Sequence, residues 1–270
     1  MKLTNIPRRI NTLALAALVG VDFLPTSVFG STNELPDFLV YAKDDSGVYG
    51  HKNSPKLSWC EWRQHDPDRP APRRVGPGKA GPPAPVPADA IVLFDGKDLI
   101  RWQPTDHTIQ DGCIVAPIKS KSYLTSKQEF GSAQIHLEFL LPAGFEAPWD
   151  ERGNNGVFLL GRHEIQIFDS FDEKIYPDGQ CAAVYGETPP LVNVCRPPGE
   201  WQTFDIFFTA PVLENGKVAK PGRLTMLHNG VLVHLDTEIH DQRRPRSKGP
   251  LALGAHNCPV RFRNIWLRPL

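Results

Sequence analysis

From Ala88 to Leu270 apolar and polar residues alternate singly, and almost every periodic stretch has a period of two. Successive strand residues point to opposite faces, so this is the signature of strands with one face buried. It predicts strands at Ile91 to Phe94, Gly112 to Val115, Gln134 to Leu140, Val157 to Leu160, Glu164 to Phe168 and Ala182 to Tyr185. Further strands are expected at Trp201 to Phe208, Leu224 to His228, Val231 to Leu235, Leu251 to Leu253 and Val260 to Leu267, with Gly, Pro or Asn breaks between them. The sharpest local signal is His228-Asn229-Gly230-Val231, because Asn-Gly between apolar strands fits a two-residue type I′ hairpin turn. No segment carries a convincing amphipathic helical period. About ten short antiparallel strands in about 180 residues predict an all-β jelly-roll sandwich of two antiparallel sheets, not a parallel sheet with crossover helices.

The N-terminal third breaks this rhythm. Lys2, Arg8 and Arg9 precede the apolar run Leu13 to Val21, and small residues then lead to Gly30, the layout of a cleavable export signal over residues 1–30. The run is shorter than the ~20 residues needed to cross a bilayer, so the mature chain is expected to be secreted or periplasmic, without a membrane span. Residues 31–87 read as an N-terminal arm and linker, ahead of the main domain at 88–270. Ser31 to Asp66 holds Tyr41, Trp59 and Trp62 but too few apolar residues for a core of its own; it is expected to pack on the main domain or stay mobile. Eight of the 27 prolines lie between Pro67 and Pro87, which predicts an extended, solvated linker or an arm that follows the surface.

Charge and cysteine content narrow the function. With 30 basic and 30 acidic side chains among 270 residues, the chain lacks the basic surface that phosphate binding requires, and no nucleic-acid partner is expected. Its one basic run, Arg243, Arg244, Arg246 and Lys248, reads as a solvated turn. Five cysteines suit an oxidising compartment but leave at least one thiol over. Cys181 with Cys195 is the preferred pair, because the GETPP turn between them can fold the two segments back on each other; small buried hydrophobes are the plainer reading of most of the five. No cofactor motif and no zinc-type Cys or His spacing is present.

The candidate chemistry centres on GNNGVFLLGRHEIQIFDS, Gly153 to Ser170. Its second arm sets Glu164 and Gln166 on one face and Ile165 and Ile167 on the other, with Asp169 just beyond. On the curved face of a sandwich, carboxylates and amides can bind sugar hydroxyls while aromatic rings take the C–H faces. Gln134, His136 and Glu138 alternate with Ile135, Leu137 and Phe139; Gln180 and Tyr185 flank the Cys181 segment; and His256 and Asn257 follow Gly254. Against these stand plainer readings. His136, Glu138 and His163 are expected to be exposed strand residues, Tyr185, Trp201 and Trp266 to be core aromatics, and Arg261 and Arg263 to be the outward positions around Phe262.

Six ordered motifs together resemble the 3-keto-disaccharide hydrolase family: IVLFDGKDLIRW, GNNGVFLLGRHEIQIFDS, YPDGQCAAVYG, RPPGEWQTFDI, LHNGVLV and PVRFRNIWLRPL, spanning Ala88 to the C-terminal residue. HDPDRPAP, His65 to Pro72, also resembles the proline-rich lead-in of planctomycete-type members. The resemblance implies an exported concanavalin A-like jelly roll that cleaves glycosides oxidised at C3, by removal of the C2 proton, elimination and hydration. For that chemistry the candidate proton-transfer pair is Glu164 and His256, in either order of roles, with Asp169 tuning or replacing one of them. Gln166 and Asn155 would hold the substrate, and Gln180, Tyr185 and, as a minor reading, Arg261 would contact it. The implied partner is a small 3-keto-glycoside, with a sugar-oxidising oxidoreductase upstream as a supplier of the ketone. No cofactor is expected, while a divalent cation stays open, since acids and a histidine are at hand without an identifying ligand spacing. Where many relatives carry Gln-Asp before the histidine of an LxLQDH-like motif, this chain has Gly254 and Ala255. Two other readings fit the same residues. One is a non-catalytic, lectin-like carbohydrate-binding module. The other is a retaining glucanase, for which ExQxxD from Glu164 to Asp169 stands in for ExDxxE.

Overall fold

The structure of the protein, a computed structural model, describes residues 36–118, 120, 122–146, 151–171, 174–241, 243–254 and 256–270. The expected export signal lies outside the described residues. In chain order the strands are β1 (Leu39–Tyr41), β2 (Tyr49–His51), β3 (Arg73–Arg74), β4 (Ile91–Phe94), β5 (Thr108–Gln110) and β6 (Cys113–Val115). There follow β7 (Leu124–Phe130), β8 (Ala133–Leu140), β9 (Asn155–Leu159), β10 (His163–Ile167), β11 (Val192–Asn193) and β12 (Trp201–Thr209). The last six are β13 (Val212–Glu214), β14 (Lys217–Lys220), β15 (Arg223–His228), β16 (Val231–Glu238), β17 (Gly249–Leu253) and β18 (Arg261–Pro269).

Two antiparallel sheets make the sandwich. The larger runs β16-β15-β12-β8-β18-β6-β5 with β4 also on β18, and the smaller runs β10-β9-β17-β7. The alternation in the sequence dictates what lies between them. Ile135, Leu137 and Phe139 of β8 and Phe204, Ile206 and Phe208 of β12 share one core with Val157 and Leu159 of β9, Ile165 and Ile167 of β10, and Leu251 and Leu253 of β17. Each such side chain contributes about 1.5–3 kcal/mol by leaving water. The fold is the jelly-roll sandwich that the pattern predicts.

At Asn229 and Gly230 the φ angles are 53° and 79°, both positive as a type I′ turn requires, and His228 pairs with Val231. The turn is also a structural hub. The Asn229 Oδ1 accepts hydrogen bonds from the Arg196 guanidinium and the Thr203 N–H, and its Nδ2 donates to the Val194 carbonyl. Two expectations for strands change. Ala182 to Tyr185 is not a regular strand, because Ala182 adopts a φ of 70°, yet it still pairs along the outer side of β10. The Gln166 N–H bonds the Ala183 carbonyl at 2.9 Å and the Tyr185 N–H bonds the Glu164 carbonyl at 3.0 Å. Strand β7 was hidden by its own composition: as the edge of the small sheet it buries only Leu124, Ser126 and Phe130 of seven residues.

The described part of the arm is tied to the domain at several points, while most of residues 70–90 stay exposed. β1 and β2 form a hairpin, and Leu39 and Tyr49 build a second small core with Phe168, Ile175 and Tyr176. β3 runs parallel to β11. Farther on, the Ala84 N–H donates to Glu138 and the Ala84 carbonyl accepts from Asn264. The proline-rich stretch thus crosses the outer face of the large sheet.

That crossing corrects the reading of His136 and Glu138 as exposed. Both are buried, at 1% and 2% exposure, in a polar network: His136 Nδ1 lies 2.7 Å from Asp205, and Arg263 donates to Glu138 at 2.7 Å. Trp266 stacks on His136 with ring centroids 5.1 Å apart. Burial works against both charges, but the Asp205 and Glu138 contacts raise His136 to about 9, and hydrogen bonds from His136, Asn264 and Arg263 hold Glu138 at about 2. The histidine's contribution is complete below pH 6.5 and lost through about 9; the glutamate's is complete above pH 4.5 and lost through about 2. Glu138→Ala is therefore expected to destabilise by about 3 kcal/mol, most of all between these two windows, near pH 5.5. Chemical denaturation at pH 5.5 and pH 9.5 checks this, and an equal loss at both would show that the histidine charge plays no part.

Candidate active site

The outer face of the small sheet carries the residues that the core alternation turns away from the interior: Glu164 and Gln166 of β10, Gly156 and Phe158 of β9, and Ala252 of β17. Tyr123, just before β7, packs edge-on to Phe158 with ring centroids 4.9 Å apart. Two recesses lie along this face. One, of about 620 Å³, is lined by Glu164, Val184, Tyr185, Gly186 and Glu187, by Arg162, His163, His240, Asp241 and Arg243, and by Leu57, Trp59 and Gln64 of the arm. The other, of about 640 Å³, lies over Phe158, Tyr123, Thr125 and Ala252. Arg162, Asp241 and Arg243 border both. Arg162 and Arg243 bond the two Asp241 oxygens at 2.9 to 3.1 Å, so this divider is a charge-paired clamp. Those bonds outweigh burial and keep the Asp241 carboxyl well below the usual carboxylate range.

Glu164 lines the first of the two recesses. Gly156 makes its place: a Cβ on that residue would collide with the Glu164 carboxylate. The carboxyl therefore lies down against the sheet, half-buried, and among the described residues it has no side-chain hydrogen-bond partner. Burial alone raises it to about 8. Tyr185 and Tyr123 flank it closely enough for its charge to help raise both phenols, after burial as the first cause. The Tyr185 hydroxyl in turn sits 3.2 Å from that of Tyr176. At neutral pH the cleft thus presents a protonated carboxyl between two phenols.

The other expected site residues divide. Gly254 donates its N–H to the Gly156 carbonyl at 2.9 Å, which brings the start of the His256 turn to the same end of the sheet; His256 itself is half-buried. Gln166 is on the right face but buried, and its Oε1 has no partner among the described residues. Asn155 is corrected: it is wholly buried, and its Oδ1 accepts the Gly156 N–H. Gln180 is also buried, its amide reaching the Ile175 carbonyl at 3.5 Å. Asp169 is drawn away from Glu164. It bonds Arg152 at 3.0 Å and borders a separate recess of about 400 Å³ with Leu141, Phe145 and Glu146. No bulge brings it round, so the paired carboxylates of a retaining glucanase are not assembled on this strand. Arg261 bonds the Gln110 carbonyl and Asp111 at the edge of the large sheet, where it secures a turn and lines none of these recesses.

Sequence reasoning missed several lining residues. His163 is buried rather than exposed, and burial lowers it to about 4, so it is neutral. Glu187 accepts the N–H groups of His240 and Asp241 at 2.6 and 3.1 Å; burial outweighs those bonds and raises it to about 7. Its one sequence signal was its place in the GETPP turn. Cys181 and Cys195 are brought together as expected, but as free thiols whose sulfurs and a His228 ring nitrogen lie within 4.8 Å of one another. This is the one metal-type cluster among the described residues, and it is core rather than cleft. Burial lowers His228 to about 3, and its Nε2 already contacts Gln202.

Comparison with known proteins agrees with this geometry. A family profile for the 3-keto-alpha-glucoside-1,2-lyase-like domain matches residues 89–268. Among solved structures, a protein of Parabacteroides distasonis ATCC 8503, provisionally assigned as a glycosyl hydrolase, is 34% identical, with a TM-score of 0.65 over 68% of this chain and 84% of its own. A second protein of that organism with the same provisional assignment shares the fold at 22% identity, with a TM-score of 0.52 over 67% of this chain and 99% of its own. No curated protein matches. Among the described residues no helix is long and apolar enough to cross a membrane. A carbohydrate-processing role follows at the level of the family, because the match runs through both sheets and the whole β9–β10 hairpin: the chain belongs to the 3-keto-alpha-glucoside-1,2-lyase-like domain family.

Proposed function

We propose that the protein cleaves glycosides carrying a ketone at C3, by elimination across C1 and C2 followed by hydration. The observation that carries this reading is Glu164, a carboxyl with no side-chain hydrogen-bond partner among the described residues, raised by burial to about 8 in a cleft of about 620 Å³. A ketone at C3 acidifies the C2 proton. A base removes that proton, and the electron pair forms an enolate spread over C2, C3 and the ketone oxygen. The enolate collapses to a C1–C2 double bond as the C1–O bond breaks, and the leaving oxygen takes a proton from an acid. Water then adds across the double bond, its hydroxyl at C1 and its proton at C2.

Glu164 is suited to the acid step, since it holds its proton at the pH at which a leaving alkoxide needs one. His256, leaving from the strand end bonded to Gly156, is the base in this reading. Tyr185 and Tyr123 supply phenolic donors beside the developing enolate oxygen. A sugar-oxidising oxidoreductase upstream would provide the ketone, and an export signal at residues 1–30 would place the reaction outside the cytoplasm.

The test is incubation with a 3-keto-glucoside and with its unoxidised parent, following aglycone release. Release from the oxidised substrate alone supports elimination, release from both indicates an ordinary glycosidase, and binding of both without turnover indicates a binding module. Glu164→Gln is expected to lower kcat at least ~100-fold. Because the acid form is the active one, the wild-type rate should fall as pH rises through about 8; a rate that rises there would assign Glu164 as the base.

Glu164 also makes a stability prediction of opposite sense. Its pKa is raised on folding from 4.5, so its contribution is complete below pH 4.5 and lost as pH rises through about 8. Glu164→Gln has no charge to desolvate. At pH 9 it is expected to melt a few °C above the wild type, and at pH 5 within a degree or so of it, as differential scanning fluorimetry would show.

A further inference from the structure

The cleft is not built by the family domain alone. Leu57, Trp59 and Gln64 line it, and all three precede residue 89, where the family match begins. They belong to a tight loop: Lys56 bridges to Arg63, the Leu57 N–H bonds the Trp62 carbonyl at 3.1 Å, and the Gln64 N–H bonds the Pro55 carbonyl at 3.0 Å. Trp59 is carried in the turn of that loop.

The loop is fastened to the domain at two points. The His65 N–H donates to Asp178 at 2.9 Å, where the carboxylate is wholly buried. The Arg69 guanidinium donates to the Glu187 carbonyl at 2.9 Å. His65 itself holds a φ of 56°, a conformation a residue with a side chain keeps only when its surroundings impose it. Gly186, with a φ of 71°, leaves the space that the Gln64 amide fills; a Cβ there would collide with it. Such fastening is more than a linker needs, and it sets one indole at the mouth of the recess that holds Glu164.

Trp59 is 38% exposed, and its ring lies flat on His240, with centroids 4.2 Å apart and planes at 11°. Stacking fixes the indole's orientation and covers one of its faces, while the residue still borders the recess. Burial lowers the pKa of His240, which leaves the imidazole neutral at physiological pH. A held indole beside polar groups is the chemistry that takes the C–H face of a pyranose.

We propose that Trp59 and Gln64 form a leaving-group subsite in the arm, which takes a second pyranose ring and makes the site selective for disaccharide-sized glycosides. This rests on the elimination reading, because that reading places the leaving group next to Glu164. Trp59 would supply the stacking face and Gln64 the amide for a ring hydroxyl, so that the arm closes one end of a groove that the domain alone would leave open.

The experiment compares the full chain with its Trp59→Ala and Trp59→Phe variants on a 3-keto-disaccharide and on methyl 3-keto-glucoside. Trp59→Ala is expected to lower the preference for the disaccharide, the ratio of the two kcat/KM values, about tenfold, through KM rather than kcat, and Trp59→Phe to restore most of it. A merely structural role would depress both substrates in parallel and leave the ratio unchanged, which overturns the subsite. Binding of the unoxidised disaccharide, followed by tryptophan fluorescence or calorimetry, separates this inference from the reading beneath it. If the wild type turns over neither ketone substrate, yet its affinity for the disaccharide falls about tenfold in Trp59→Ala, the subsite stands and the elimination reading fails. A wild type that neither cleaves nor binds the disaccharide overturns both.

Discussion

The missing side chain at Gly156 is the constraint from which the cleft follows. Two neighbouring strands cannot both carry outward side chains of full size if one of them is to fold flat against the sheet. Gly156 gives way, the Glu164 carboxyl takes the vacated volume, and water is kept from most of it. Gly254 bonds its backbone to Gly156 on the other side, so the strand that leads to His256 is drawn up to the same spot. A glutamate at this position with a larger neighbour would be pushed into solvent and would titrate as an ordinary acid.

Glu138 and Glu164 show how little residue type says by itself. Glu138 and Glu164 both alternate with apolar core residues, and both leave water on folding. Glu138 meets Arg263, Asn264 and His136, and is held as a carboxylate near 2; Glu164 meets a glycine, two phenols and a phenylalanine, and is held as an acid near 8. The first arrangement anchors the arm, since the Ala84 N–H is among its donors. The second leaves a charge state in reserve, at a cost to stability above neutrality. The fold thus places its polar pairing on the outer face of the large sheet, while Glu164 on the small sheet has no side-chain hydrogen-bond partner among the described residues.

Much of the fold was legible because the period of two is enforced by burial on one face. The strands that feed the central core, such as Ile135-Leu137-Phe139 and Phe204-Ile206-Phe208, announce themselves, and Asn229-Gly230 announces its turn. What stayed hidden answers to contacts remote in sequence. β7 is a polar edge with little apolar content to alternate. His136 and Glu138 look solvent-facing until the proline-rich stretch is laid over them, and nothing local says where that stretch will go. Of the residues expected at the site from strand and motif, Glu164 and Tyr185 do line the recess. Asn155 and Asp169 do not line it, since Asn155 is buried on the Gly156 N–H and Asp169 is held by Arg152. Glu187 had no signal beyond its place in the GETPP turn, and Trp59 and Gln64 line the recess only because of where the arm docks.

Strand β18 carries a further implication, for the order in which the molecule can assemble. It lies between β8 and β6 and also pairs with β4, so the middle of the large sheet is made by its latest strand in the chain. Until residues 261–269 have been synthesised, β4, β6 and β8 lack the partner that joins them, and their apolar faces have no finished sheet to belong to. A nascent chain of this topology keeps the middle of its large sheet open until late, a state prone to aggregation.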